Sequence, residues 1–332
     1  MATIHDVAKK AGVSEATVSR VLNNAGIVNI KTRAKVSKVI KDLNYTPSFL
    51  AQGMRKQKSG TIGIIVPDFG NLYYSVFLTH LEKEVRLTDY TSIIFSVESD
   101  LEKENEYISK LVERQQIEGL ILCWYFSAEE DRTFITNLSK KLPIVLMDES
   151  AEGLPVSSVY SDQYNGLKQI TNHLIEKGHE KIALIKSFGQ YTIGQLRYNA
   201  FLDAMKEAGL DVIQDFIKET EWTVKGGYEA CNRLLSKRIK PSAIIGVNDL
   251  IAIGALMSVY ENKLSVPDTI AITGYDDIPL AKAVYPPLTT VREPIEEKAK
   301  LAVEILIERI KNRRKRNKNI FLETELIIRK ST

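Results

Sequence analysis

The sequence predicts a small all-α helix-turn-helix head followed by an α/β body of two doubly wound parallel-sheet lobes. Three observations lead there. The first ~45 residues carry three short apolar stripes at helical spacing and no strand pattern. From Thr61 onward, short apolar runs alternate with longer amphipathic stretches, the pattern of parallel strands joined by right-handed helical crossovers. About 270 residues of such units exceed one comfortable core, so the body divides into two sheets.

The head is legible residue by residue. Ile4, Val7, Ala8 and Ala11 fall at i, i+3, i+4 and i+7, and Thr3 with Asp6 forms an N-terminal capping pair. Gly12 can end this first helix. Ser14 can cap a second, in which Val18, Val21 and Leu22 face inward and Glu15, Ala16, Thr17 and Arg20 face out. A third helical pattern runs from about Lys31 to Leu43 through Val36, Val39 and Ile40. Tyr45-Thr46-Pro47 breaks it. Ser48 to Lys58 could add one or two helical turns with Phe49, Leu50 and Met54 apolar, but so short a segment is ordered only by a partner. The sequence divides as residues 1–47 for the head, 48–60 for a hinge and linker, and 61–332 for the body.

In the body, strand candidates are Thr61 to Pro67, 91–97, 119–124, 143–147, 181–186, 242–247 and 270–275. Helical patterns cover 73–88, 102–115, 164–177, 195–208, 225–237, 248–262 and Pro294 to Lys311. One last strand, IFLETELII, closes the chain. One lobe is expected over about 61–160 plus 292–320 and the other over about 161–291 plus 321–332. Ligands of such sheets bind beyond the carboxyl ends of the strands.

Composition narrows the function. The chain has 332 residues, 44% hydrophobic, enough for a large core. No apolar run approaches the roughly 20 residues that cross a bilayer and no secretory signal opens the chain, so the expected location is the cytoplasm, with no membrane partner. Cys123 and Cys231 stand outside any metal or redox spacing and read as buried thiols; no metal or cofactor is expected. The net charge of +3 is segregated: residues 1–58 hold 11 Lys/Arg against 3 Asp/Glu, or +8, leaving −5 on the rest. A basic head on an acidic body suits a polyanion, although a solvated lysine-rich face is the bland alternative. The six basic residues between Lys311 and Lys318 read as a solvated loop rather than a nucleic-acid patch. The four histidines are scattered and no GxGxxG, Walker A or GxSxG stretch occurs, which argues against an enzyme.

DVAKKAGVSEATVSRVLN, TRAKVSKVIKDLNYTPS, GTIGIIVPD, Asn248-Asp249, GYDDIP, PPLTTV and ELIIRKST together resemble the lactose/galactose repressor (LacI/GalR) family of bacterial transcription regulators over nearly the whole chain. The resemblance implies a repressor that binds a pseudo-palindromic DNA operator as a homodimer. It implies a body like periplasmic sugar-binding proteins, closing around a small-molecule effector, with a carbohydrate as the expected class. It implies cytoplasmic, nucleoid-associated action.

By that resemblance the second helix enters the major groove. Glu15, Ala16 and Arg20 then face base edges, Arg20 toward guanine or, alternatively, a phosphate. Glu15 could accept from cytosine, exclude sequences, or simply complement the helix dipole. Thr3, Ser14, Thr17, Ser19, Asn23, Asn29 and Thr32 match positions that hold the duplex backbone. His5 replaces a frequent tyrosine. In the hinge, Met54 stands where leucine usually wedges the minor groove, Ser48 replaces asparagine, and Ala51 lets two hinges approach.

Carried over in the same way, the effector candidates are Tyr73, Tyr74, Arg197, Trp222, Asn248 and Asp276, an aromatic face with polar groups for hydroxyls. Trp222 could instead be a core or dimer-face aromatic, and Arg197, Asn248 and Asp276 structural hydrogen-bonders. Asp249 is read as a structural helix cap. Ala200 replaces a usual glycine. Two alternatives are carried: a catabolite-control-type regulator with a corepressor protein, and a free sugar-binding protein.

Overall fold

A computed structural model describes residues 2–22, 26–45, 59–96, 101–114, 116–123, 129–188 and 192–332. The chain forms two compact units that part between Ser59 and Gly60.

The first unit holds α1 (Ile4–Ala11), α2 (Glu15–Leu22) and α3 (Ile30–Asp42). Its helix ends follow from side chains. The Thr3 N–H donates to Asp6 Oδ2 at 2.8 Å and the Asp6 N–H to Thr3 Oγ1 at 3.3 Å, the reciprocal cap expected of this pair. Gly12 ends α1 at φ 63°, a conformation that a Cβ would disfavour. The Thr17 N–H donates to Ser14 Oγ at 3.3 Å. Asn29 accepts from the Lys31 N–H at 2.9 Å, which starts α3 one residue before the apolar stripe suggests. Val7, Ala8, Ala11, Val18, Val21, Val36 and Val39 form the core. The hinge expected over 48–58 lies outside the described residues.

In the second unit, six parallel strands form one sheet in the order β11-β5-β4-β3-β1-β2. They are β1 (Thr61–Val66), β2 (Thr91–Ser96), β3 (Gly119–Cys123), β4 (Ile144–Met147), β5 (Ser157–Ser161) and β11 (Asn319–Leu322). Four more, β6 (Ile182–Ser187), β7 (Ile217–Thr220), β8 (Ala243–Gly246) and β9 (Ala271–Thr273), form a parallel sheet in the order β7-β6-β8-β9. Helices α4 (Leu72–Val85), α5 (Leu101–Glu113), α6 (Glu129–Ser139) and α12 (Ile295–Lys311) pack on the first sheet. Helices α7 (Gln163–Glu176), α8 (Thr192–Glu207), α9 (Val224–Leu235), α10 (Asp249–Glu261) and α11 (Pro279–Ala283) pack on the second.

The structure departs from expectation in three ways. First, β5 was not anticipated because three of its five residues are serines; they are buried because their hydroxyls are satisfied, Ser158 Oγ accepting from the Ala151 N–H at 3.1 Å and Ser157 Oγ from the Lys318 N–H at 3.1 Å. Second, α6, β7 and α11 also fill segments left unassigned. Third, the expected last strand is two: β11 joins the six-stranded sheet, and after Glu323-Thr324 the chain crosses over, so that β12 (Glu325–Ile327) pairs antiparallel with β10 (Thr290–Arg292) beside the second sheet. Three crossovers between the lobes thus converge, with the Asp162 N–H donating to the Leu322 carbonyl at 3.0 Å and Ser161 hydrogen-bonded to Glu293.

The basic run is exposed, as a solvated loop should be, but it is anchored. Arg313 donates to the carbonyls of Ser139, Lys140 and Lys141 at 3.0–3.2 Å, closing the carboxyl end of α6, where a cation also suits the helix dipole. Both cysteines are buried free thiols. No helix among the described residues is long and apolar enough to cross a membrane.

The tightest helix crossing in the second lobe is between α9 and α10. A Cβ on Gly254 would lie 2.0 Å from the Val224 carbonyl oxygen, and one on Gly227 would lie 2.1 Å from that of Ile251. Gly254→Ala is therefore expected to destabilise the body by about 1–3 kcal/mol or more through forced helix separation, read as a lower urea midpoint. An unchanged midpoint would show that the helices part freely.

Candidate functional site

The exposed edge of α2 is left by the burial of Val18 and Val21. Ala16 and Arg20 are exposed, Thr17 and Ser19 half-buried, and Thr32 of α3 half-buried. Glu15 is not a bare carboxylate: His5 Nδ1 of α1 lies 3.1 Å from its Oε1. That cross-helix partner had no sequence signal, since the residues are ten apart. Thr3, Ser14 and Asn29 all serve as helix caps, and Thr17 Oγ1 lies 3.0 Å from Ser14 Oγ. Asn23, Ala51 and Met54 lie outside the described residues.

Four of the residues proposed from sequence for a ligand, Tyr73, Arg197, Trp222 and Asp276, line one cavity between the two sheets. Tyr73 opens α4, whose N-terminus Asn71 caps by accepting from the Tyr73 N–H at 3.0 Å. Arg197, 3% exposed on α8, donates from Nε and Nη2 to Gln163 Oε1 at 2.9 and 2.6 Å and from Nη1 to the Val247 carbonyl. Its guanidinium lies 3.6 Å from the Tyr275 ring centre and 5.9 Å from that of Trp222, and 3.6 Å from Asp276 Oδ1. Asp276 sits at φ 109°, a strained backbone for a residue with a Cβ, fixed by its N–H donating to the Val291 carbonyl at 2.8 Å.

Two expected members are elsewhere. Tyr74 is 1% exposed in the first lobe's core; successive helical side chains diverge by about 100°, so it packs edge-on against Tyr73 at 5.2 Å instead of reaching the cavity. Asn248 does not line the cavity. Its Oδ1 caps α10, accepting from the Ile251 N–H at 2.8 Å. Asp249, expected as that cap, is instead the first helical residue and accepts from the Ile278 N–H at 2.8 Å and Thr290 Oγ1 at 2.6 Å.

Sequence reading missed Asp148, Gln163 and Glu293, which also line the cavity. It missed Lys298 behind them as well. Lys298 is fully buried and donates to Tyr73 Oη at 2.9 Å, Ser161 Oγ at 3.1 Å, Glu293 Oε2 at 2.7 Å and Asp148 Oδ1. Gln163 Nε2 donates to Glu293 Oε1 at 2.7 Å. A continuous polar chain therefore runs from Tyr73 and Asp148 in one lobe through Lys298, Glu293 and Gln163 to Arg197 in the other. The cavity holds about 20 Å³, room for one water, so a larger guest requires the lobes to part.

Among the described residues, six buried side-chain polar atoms have no hydrogen-bond partner, and five of them lie within two residues of a strand's carboxyl end. These are Asp148 Oδ2 and Glu149 Oε1 after β4, Ser187 Oγ on β6, Asn248 Nδ2 after β8 and Thr273 Oγ1 on β9. Buried polar atoms are rarely left unmatched, and the crevice beyond the strand ends is where ligands of such sheets bind.

One ammonium cannot hold every carboxylate here ionised. Burial pushes Asp148 up, opposed by Lys298, and pushes Asp276 well up, opposed by Arg197. For Glu293 burial is outweighed by Lys298 and Arg197, which hold it below the usual range. Glu149 is pushed from 4.5 to about 8, by burial first and then by Asp148. The folded chain thus holds this proton more tightly than the unfolded chain, and ionising it destabilises the fold progressively as pH rises from 4.5 to about 8. Glu149→Gln is expected to stabilise the protein by on the order of 2–4 kcal/mol near pH 9 and little near pH 4, read by thermal unfolding. An unaltered pH slope in the variant would refute this.

Both units resemble known proteins. Residues 3–48 match the family model of bacterial regulatory proteins of the lacI family, and residues 171–332 match a periplasmic binding protein-like domain. The transcriptional repressor PurR of Photobacterium profundum is 34% identical over 334 aligned residues, covering 100% of this chain and 98% of the relative. The chain belongs to the LacI family. Among solved structures, the lac repressor dimer bound to operator and the anti-inducer ONPF superposes with a TM-score of 0.91 at 26% identity, covering 100% and 99% of the two chains. A transcriptional regulator CelR in complex with cellobiose does so with a TM-score of 0.74 at 26% identity, each chain covered completely. This LacI-family chain is a DNA-binding transcriptional regulator, with its helix-turn-helix in α1 and α2 and a two-lobed α/β body as its second unit.

Proposed function

We propose that the protein represses transcription by binding a pseudo-palindromic operator as a homodimer, and that a carbohydrate or carbohydrate derivative in the interlobe cavity sets its affinity. The observation that carries this reading is the cavity wall: aromatic Tyr73 and Trp222 beside Arg197 and Asp276, ringed by strand ends with unmatched polar atoms. That wall suits a small molecule better than a protein corepressor. The related regulator bound to cellobiose supports a sugar.

On the DNA side, Arg20 reads base edges, Glu15 is oriented by His5, and Thr3, Ser14, Thr17, Ser19, Asn29 and Thr32 lie toward the duplex backbone. Pairing of two copies is supported by exposed Met257, Tyr260, Leu280 and Tyr285 on α10, α11 and the following loop. Tyr260 Oη donates to the Tyr285 carbonyl at 2.8 Å, joining two of these elements.

Trp222→Ala is expected to leave operator binding intact and to remove the response to the effector, a loss of at least about tenfold in effector affinity. A gel shift of operator DNA with and without sugars checks both halves. Loss of DNA binding itself, or an intact response, would contradict the assignment.

A further inference from the structure

The effector reading rests on the interlobe cavity, and the charges of that cavity narrow the chemistry of its guest. Three carboxylates line it, Asp148, Asp276 and Glu293, against one cation, Arg197. Lys298, behind the wall, brings the cations only to two. Neither is available to a ligand: the Lys298 ammonium is surrounded by Tyr73, Ser161, Asp148 and Glu293, and Arg197 donates to Gln163 and the Val247 carbonyl, with its guanidinium carbon 3.6 Å from the Tyr275 ring centre. An anionic guest would therefore meet surplus negative charge with both cations already engaged. Asp148 points the other way. Its side chain is 3% exposed, and its Oδ2 has no hydrogen-bond partner.

We propose that the effector carries an ammonium group on a hydroxyl-rich frame, an amino sugar or similar amino polyol, with the nitrogen received by Asp148 and Asp276. A proton can make up the charge deficit, as the upward shifts of both groups indicate. An ammonium does so with three directed donors, and charge-assisted hydrogen bonds are the stronger kind. Tyr73 and Trp222 line the same cavity, and rings of this kind attract cations. Phosphorylated and acidic sugars would find both cations of the same wall already engaged.

The test is calorimetric titration of the full-length protein at neutral pH with matched sets: glucosamine, galactosamine and mannosamine, their parent hexoses, their N-acetyl derivatives and the hexose 6-phosphates. The expected result is that at least one amine binds about tenfold or more tighter than both its parent and its N-acetyl form, with no phosphate binding. Asp148→Asn or Asp276→Asn should reduce that preference to about threefold or less. A parent hexose, an N-acetyl form or a phosphate binding as tightly as the amine overturns the proposal, as does a preference that survives both substitutions. The comparison within the unsubstituted protein stands even if a variant fails to fold. If no member of any set binds or alters operator affinity, the effector reading of the cavity falls together with it; if neutral sugars bind equally well, only the ammonium inference falls.

Discussion

Lys298→Met is expected to destabilise the body by on the order of 3–5 kcal/mol at neutral pH, the range for removing one partner of a buried ion pair. Its ammonium is fully buried and touches two carboxylates, Asp148 and Glu293. Methionine preserves much of the stem's packing, so the loss is electrostatic. The sign of the pH dependence separates this from a packing defect. In the unsubstituted protein Glu293 is held below its ordinary range by Lys298 and Arg197, so its contribution is present above the unfolded value and fades as pH falls through the folded one. In the variant, burial unopposed by Lys298 raises both carboxyls, so the folded form takes up protons and is stabilised as pH falls. The gap between the two proteins should therefore narrow on going from about pH 8 to about pH 5 in urea unfolding. A constant gap would mean that the ion pairs contribute nothing. Effector affinity should fall as well, because the same chain positions Tyr73 and Asp148 on one side and, through Glu293 and Gln163, Arg197 on the other.

Arg20→Ala is expected to lower discrimination between operator and random DNA by about 1–3 kcal/mol per base pair contacted, the value of a bidentate guanine contact. The measurement is competition binding with operators substituted at single positions, repeated across salt concentrations. If Arg20 reads a base, the variant becomes indifferent to one position in each half-site. If it holds a phosphate, binding weakens evenly for all sequences and the salt slope drops by about one, which would refute the base-reading role.

The head was legible in the sequence because its determinants are local. Capping pairs such as Thr3 with Asp6, the glycine at position 12 and apolar residues at three- and four-residue spacing all act within one or two turns. Strands of continuous Ile, Val and Leu were equally clear, whereas β5 is disguised by serines whose burial is allowed only by partners such as the Ala151 and Lys318 amides. In the cavity, Tyr73, Arg197, Trp222 and Asp276 could be named because the family resemblance carries ligand positions onto them. Tyr74 cannot be told from Tyr73 in the sequence, because adjacent aromatics look alike until the helix is placed. Lys298, Asp148 and Glu293 gave no local signal: Lys298 meets Asp148 across 150 residues of chain, and only the convergence of the three crossovers brings Glu293 onto Ser161 and Gln163. Their chemistry is a product of topology, not of any short stretch.

We propose that a small molecule held between the lobes sets how tightly the head grips one symmetric DNA site. The direct test is to select genomic fragments with the purified full-length protein at low salt, and then to titrate the selected site in the presence of amino sugars, neutral sugars and other metabolites. The expected result is enrichment of a pseudo-palindrome whose apparent affinity shifts about tenfold or more with a cleft ligand and does not shift in Trp222→Ala. Enrichment of no particular sequence, with or without metabolites, would contradict it.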